Sequence, residues 1–473
     1  FDMKDGIADD ILMTPGQPNI LRGPNGFEWW LIYMANKNDE HRGQYINRVQ
    51  FFDKTLFVDG ITGPRTAGYH PEPSMPTFAG KGETASFGVL QQVQPSVAYL
   101  FETGVKTEGG AGVIAWWKDA DNCAYVGLDA ENRSWYLRTL VGGKENKESY
   151  ALPEDFHWGV YHHLRIERNG GCLKIWLDEI PTPGKHVFAE ALPAEEAGVP
   201  GVFDETKSAL FEGAAYTIGF DDVHFQLSGN EELLKGDFLN DYELSFQLSG
   251  LSGQDKAGSY PVYVDKDNYV KAQFDGITRM LEVTAVKKGK TAWKKEFPLG
   301  CLQTLYPDVK YTDFIEKGYR FAAPAWLDTL YLNRHEAGNK SEFVDDMFGK
   351  FDIEYLNGGE WHPIENKDRG IAEHPAYNYC TFTPVKAEGI RFINKEAEDL
   401  ERHIYKIGVH ELWKESYNFR AVRRADKLYL FVDGRELGAL DIRYPASRIG
   451  FCSEGGSPVY SGTLYYHVGQ RRD

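Results

Sequence analysis

The sequence predicts an all-β protein made of several sandwich domains, and three observations carry that prediction. Two stretches far apart in the chain are copies of one hairpin, HHLRIERNGGCLKIWLD at 162–178 and YNFRAVRRADKLYLFVD at 417–433. An earlier pattern also repeats, DADNCAYVGLDAENRSWYL at 119–137 and DKDNYVKAQFDGITRMLEV at 265–283, with Asn122 and Asn268 in register. The composition agrees, since aromatic residues make up 14% and the 49 Gly and 22 Pro separate short alternating segments.

Each hairpin copy alternates apolar and polar residues around a short polar turn, Asn169-Gly170-Gly171 or Arg424-Ala425-Asp426. Leu173, Ile175 and Leu177 share one face, as do Leu428, Leu430 and Val432. The opposite face carries Lys174, Trp176 and Asp178 in one copy and Tyr429, Phe431 and Asp433 in the other, so each hairpin has a core side and a mixed aromatic-polar side.

The Asn pair is 146 positions apart, while Arg165 and Arg420 of the hairpins are 255 apart, so the second copy holds about 109 extra residues between its halves. A third echo, SALFEGAAY at 208–216 against SPVYSGTLY at 457–465, closes both copies. Repeats of this length indicate duplicated domains, because solenoid periods are shorter. The expected organisation is an N-terminal part over 1–80, a first sandwich over 81–228, a second over 229–299 and 413–473, and an inserted domain over 300–412.

In the N-terminal part, Gly23-Pro24-Asn25-Gly26 is a turn signal, and Trp29 to Tyr33 and Tyr45 to Phe51 read as strands. Strands are expected in the first sandwich at 97–103, 111–117, 123–128, 134–140, 162–167, 173–178 and 214–226. The connection 179–207, with Pro181, Pro183, Pro193 and Pro200, reads as a loop. In the inserted domain, Asn357-Gly358-Gly359 is a hairpin turn.

The formal charge of −18 argues against a nucleic-acid partner, which needs clustered Lys and Arg, and leaves glycans compatible. No segment has the apolar length to span a bilayer as a helix. Five widely spaced cysteines, at 123, 172, 301, 380 and 452, form neither a disulfide framework nor a metal cluster, and most of them read as small buried hydrophobes. Acidic pairs such as Asp9-Asp10, Asp221-Asp222 and Asp345-Asp346 read as turns, caps or solvated edges. The motifs of serine hydrolases, zincins and phosphate loops are missing from the sequence.

An aromatic ring on a polar sheet face offers an apolar platform to the C–H face of a sugar. Trp176, between Lys174 and Asp178, fits that description, and Trp135, with Arg138 nearby, stands at a comparable place. Both compete with a packing role, because aromatics on an outer face also join neighbouring domains.

The Asp-x-Asp-Asn motif, the Arg-bearing strand and the Leu-x-Ile-x-Leu-Asp hairpin resemble the laminin-G/concanavalin-like jelly rolls attached to secreted glycoside hydrolases. In that resemblance Asp222, within Gly219-Phe220-Asp221-Asp222-Val223, would help hold a structural calcium. Residues 14–52, with Gly16-Gln17, the Gly23-Pro24-Asn25-Gly26 turn, Trp29-Trp30-x-x-Tyr33 and the strand bearing Arg48, resemble the last blade of the five-bladed propeller of glycoside hydrolase family 43. Gln17 stands where that family usually carries a pocket His, and Met34 where a second His is common.

The insertion, with Ile353-Glu354-Tyr355, Trp361-His362-Pro363-Ile364 and Val409-His410-Glu411-Leu412, resembles discoidin-type jelly rolls. Together these likenesses imply a secreted, periplasmic or cell-surface polysaccharide-degrading enzyme. This chain would be mostly its accessory carbohydrate-binding or structural region, with Trp176, Trp135 and Gln17 as substrate contacts and further propeller blades upstream of Phe1. Family 43 carboxylates lie in the early blades, so none is carried over here. A non-catalytic carbohydrate-binding or adhesion protein, or a scaffold without ligand, is the alternative.

Overall fold

A computed structural model describes residues 12–37, 41–52, 55–58, 72–80, 83–84, 88–305, 318–333, 347–365, 367–373, 376–394 and 406–469. Their regular structure is β-strand apart from one 3-10 turn, Met347–Lys350. The chain is an all-β protein of several sheets, as the alternation in the sequence predicts.

Strands Leu12–Arg22, Trp29–Lys37, His41–Phe52 and Thr55–Val58 form a four-stranded antiparallel sheet in chain order. The turn after the first strand closes with the Gly26 amide donating to the Gly23 carbonyl at 3.0 Å, and Gly26 has φ +76, a conformation that costs glycine nothing. The Asn25 side chain accepts from the amides of Phe27 and Glu28, both at 3.0 Å.

Each repeated unit has two sheets. In the first, the front sheet runs Lys144–Ala151, Ser134–Val141, Asn122–Asp129, Gly110–Asp119, Val199–Asp204 and Gly88–Val89. Val199–Asp204 falls inside the stretch expected to be loop. Pro200 is tolerated there because the register slips between Val199 and Gly201, so its missing N–H leaves no gap in the ladder, and its carbonyl accepts from Leu90. The second front sheet has the corresponding order, with Ser447–Glu454 beside Lys256–Asp265 where Val199–Asp204 lies beside Gly110–Asp119.

The two back sheets are one sheet. Leu210–Gln226 pairs through its first half with Ala98–Lys106 and through its second half with Val459–His467, the closing strand of the other copy. The backbones approach closely at the change of partner. A Cβ on Gly219 would lie 2.3 Å from the Tyr465 carbonyl oxygen, so no larger residue fits there.

The repeated motifs make the same local bonds in both copies. Asp119 accepts from the Asp121 amide and the Asn122 side chain, both at 2.9 Å, while Asn122 accepts from the Gly142 amide in the next hairpin at 3.0 Å. Asp265, Asn268 and the Lys288 amide repeat this arrangement. Arg168 and Arg423, at 0% and 1% exposure, each donate to carbonyls of the neighbouring loops, Ser96, Pro193 and Glu196 in one case and Tyr444 and Pro445 in the other. Asp178 and Asp433 accept from the amides of His163 and Asn418. These residues hold turns and loops, and a buried guanidinium surrounded by carbonyls keeps its charge hydrogen-bonded.

Residues between Cys301 and Trp413 form a seven-stranded sheet. Its longest strand, Ala376–Asn394, pairs with Tyr319–Asn333, Asp368–Glu373 and Phe351–Asn357 along different parts of its length. The sheet bends over its own core of Leu327, Leu330, Phe351, Ile353, Ile390 and Phe392.

Candidate functional site

The outward face of the first front sheet carries a depression of about 190 Å³ lined by Tyr125, Tyr136, Arg138, Phe203, Asp204 and Glu205. Register explains its shape. Tyr136, Gly127, Gly112 and Phe203 stand side by side across four strands, so two aromatic residues flank two positions without side chains. A Cβ on Gly127 would lie 2.4 Å from the Tyr136 ring, which lies across the strand because that space is empty. The next row outward is Lys147, Arg138, Tyr125 and Ile114.

Tyr125 is half-buried, and its ring meets Phe203 edge-on, with centroids 5.3 Å apart at 85°. Burial pushes its hydroxyl up to about 12, and the neighbouring Cys123 adds to the shift, so the phenol stays protonated as a donor. The Tyr136 hydroxyl donates to Glu205 at 3.4 Å, and Lys147 sits 4.1 Å above its ring. Arg138 forms two bonds of 3.1 Å with Glu145 at the rim. Asp204 shapes the turn, accepting from the amides of Thr206, Lys207 and Ala209. The result is a depression whose base is formed by Tyr136 and Phe203, both 4% exposed, and whose accessible ring is the half-buried Tyr125, with acceptor and donor groups on its walls.

The second copy supplies an internal control. At the positions of Tyr125, Gly127, Tyr136 and Phe203 it has Lys271, Gln273, Glu282 and Cys452, as the pairings Gly258 with Gln273 and Cys452, and Gln273 with Glu282, require. Lys271 is paired with Glu454 at 2.6 Å, and Cys452 is buried. The turn residues and buried arginines recur in both copies, whereas the aromatic depression belongs to the first.

Trp176 lies on the outward face of the shared sheet, as its alternation predicts. The Arg165 guanidinium covers its ring at 5.1 Å, and His186 meets it edge-on at 4.6 Å. Arg165 in turn donates to the Gly26 carbonyl of the N-terminal turn at 3.0 Å. Arg420 and Phe431 repeat the pair at 4.3 Å, which marks it as a packing device of the fold. Trp135 is in the core at 1% exposure, stacked on Tyr150 with its Nε1 donating to the Pro183 carbonyl, so it offers no face to a sugar. Its strand turns Tyr136 and Arg138 outward instead. The alternation expected for this strand was one residue out of step.

Gln17 is exposed, with φ +53 where the register slips between Gly16 and Asn19. Asp222 accepts from Asn169 at 2.6 Å through one oxygen and pairs with Lys235 through the other. Both its oxygens are thus turned to nitrogen donors, and among the described residues no group of three His, Cys, Asp or Glu is placed to hold a metal. Glu167 and Asp221 lie together under Lys174, where burial and the neighbouring carboxylate push Asp221 up to about 7.

Phe203 was hidden from sequence reasoning by the prolines around it. The Gly127 to Tyr136 spacing was the signal that could have revealed the site, since glycine within a strand marks a place where another group approaches closely.

The fold and this open sheet face define an all-β protein of packed sandwich sheets. No family model matches the chain, and no curated protein matches it. Similar solved structures include the galectin LEC-6 of Caenorhabditis elegans, 15% identical over 28% of this chain and 95% of the galectin, with a TM-score of 0.22. Another is the carbohydrate-binding module CBM66 of Bacillus subtilis, 13% identical over 43% of this chain and 96% of the module, with a TM-score of 0.21. A beta-fructofuranosidase of Aspergillus kawachii is 10% identical over 97% of this chain and 71% of the enzyme, with a TM-score of 0.26. Identities and scores this low assign no activity to the chain.

Proposed function

We propose that this chain is a glycan-binding region, accessory to a secreted polysaccharide-degrading glycoside hydrolase of family 43 type, and that its first sandwich holds the sugar. One observation carries the reading: the aromatic depression of Tyr125, Tyr136 and Phe203, present on one front sheet and replaced by charged and buried residues on its duplicate. The half-buried Tyr125 ring suits the C–H face of a pyranose or furanose, and Glu205 supplies an acceptor for a hydroxyl group. The four-stranded N-terminal sheet has the strand number and order of a propeller blade, which supports attachment to a catalytic ring.

Calorimetric titration with a panel of plant-wall oligosaccharides tests the reading. The native chain binds at least one of them, and Tyr125→Ala weakens that binding roughly tenfold or more, the loss of one aromatic contact. Absence of binding across the panel, or binding unchanged in Tyr125→Ala, overturns it.

A further inference from the structure

The charges around the depression distinguish among sugars. Its three charged lining residues are Arg138, Asp204 and Glu205. Arg138 is already engaged through its Nε and Nη2 by both oxygens of Glu145, a bidentate pair that leaves little net positive charge for an incoming anion. Lys147 stands over Tyr136, outside the lining. Glu205 accepts from the Tyr136 hydroxyl, and among the described residues no cation pairs with it. Asp204, bound by three amides, adds a second negative charge at the same wall. The whole chain, at −18, repels anions at longer range.

We infer that the depression takes uncharged sugar residues and rejects uronic acids, with Glu205 as the specificity-determining group. This rests on the glycan-binding reading above. Glu205 accepts from a sugar hydroxyl, such as the C6 hydroxyl of a neutral hexose, which a uronic acid replaces with a carboxylate. A carboxylate at that place would face Glu205 and Asp204 with Arg138 already committed. Two like charges about 4 Å apart cost at least about 1 kcal/mol even in water, roughly fivefold in affinity, and more in a partly dry site.

The test compares oligogalacturonides with their carboxyl-reduced forms, which differ only at C6, and xylo-oligosaccharides with their glucuronic-acid-substituted forms, which carry an added acidic residue, by calorimetry at low and at near-physiological salt. The expected result is at least fivefold tighter binding of the neutral member of the preferred pair. That preference narrows at higher salt and narrows further in Glu205→Gln, with the thermal midpoint of the variant close to native. Equal or tighter binding of the acidic member, or a preference unchanged in Glu205→Gln, overturns the inference while glycan binding stands. If neither member of any pair binds, the glycan reading falls and this inference falls with it.

Discussion

Arg48 of the N-terminal sheet donates to Glu243 of the second sandwich, with both side chains at most 2% exposed. Arg420 approaches the same carboxylate at 3.6 Å, and the Tyr466 ring lies 5.5 Å from the Arg48 guanidinium. Burial pushes the Glu243 carboxyl up, but the two guanidinium groups outweigh it and hold it below the usual range. The N-terminal sheet is thereby tied to the shared back sheet through charge as well as through Phe27, which packs with Leu100, Tyr466 and Val468.

Removing Glu243 takes away the buried carboxylate that both guanidinium groups share. Glu243→Ala is expected to lower stability by about 3–5 kcal/mol. Urea unfolding of the variant checks this, and a loss under 1 kcal/mol would show that water enters and solvates both arginines.

Asp221 makes stability depend on pH. Its carboxyl is pushed up to about 7 in the folded chain against 3.8 ordinarily, by burial first and by Glu167 next. The folded state therefore binds the proton more tightly than the unfolded state. The resulting stabilisation is complete below about pH 4 and is lost as pH rises to about 7. Glu411, also pushed up to about 7 by burial, acts in the same direction. Thermal midpoints of the native chain and Asp221→Asn, followed from pH 4 to 8, should diverge: native loses stability across that window, and the variant loses less.

The floor of the depression depends on Gly127. Gly127→Ala places a methyl group 2.4 Å from the Tyr136 ring, which must move. The expected cost is roughly 1–3 kcal/mol in stability, together with loss of oligosaccharide binding. The duplicate offers a control, because Gln273 already occupies the matching position and Gln273→Ala should leave binding unchanged.

Asn122 and Asn268 each link two adjacent hairpin turns through a bond to Gly142 or Lys288. Asn122→Ala and Asn268→Ala should each cost about 1 kcal/mol, and the double variant should show the sum, since the sites are in separate front sheets. Denaturant midpoints of the three variants check both statements.

The repeated residues were legible in the sequence because their bonds are local. Asp119 with Asn122, and the alternation through Leu173, Ile175 and Leu177, are set within a few residues of one another, and the structure places them as the pattern implies. Trp135 was misplaced because its bonds are not local, whereas Phe203 lay in a stretch whose prolines read as loop. A one-residue shift of phase exchanges the faces of a strand, and nothing within Ser134–Val141 itself says which face meets the core. That is decided by Phe188 and Pro183, about fifty positions away, which enclose Trp135. Fusion of the back sheets was also invisible, since the pairing of Phe220 with Tyr465 joins residues remote in the chain.

That fusion bears on where the chain can be cut. A boundary drawn after residue 228 looks natural from the repeats, yet it would strip the second half of Leu210–Gln226 of seven paired positions. Each fragment would then carry a bare strand edge, ready to pair with the next copy it meets. Half-length versions should accordingly clump or pair off, and any attempt to isolate the half with the Tyr125 depression needs the closing strand Val459–His467 supplied alongside it.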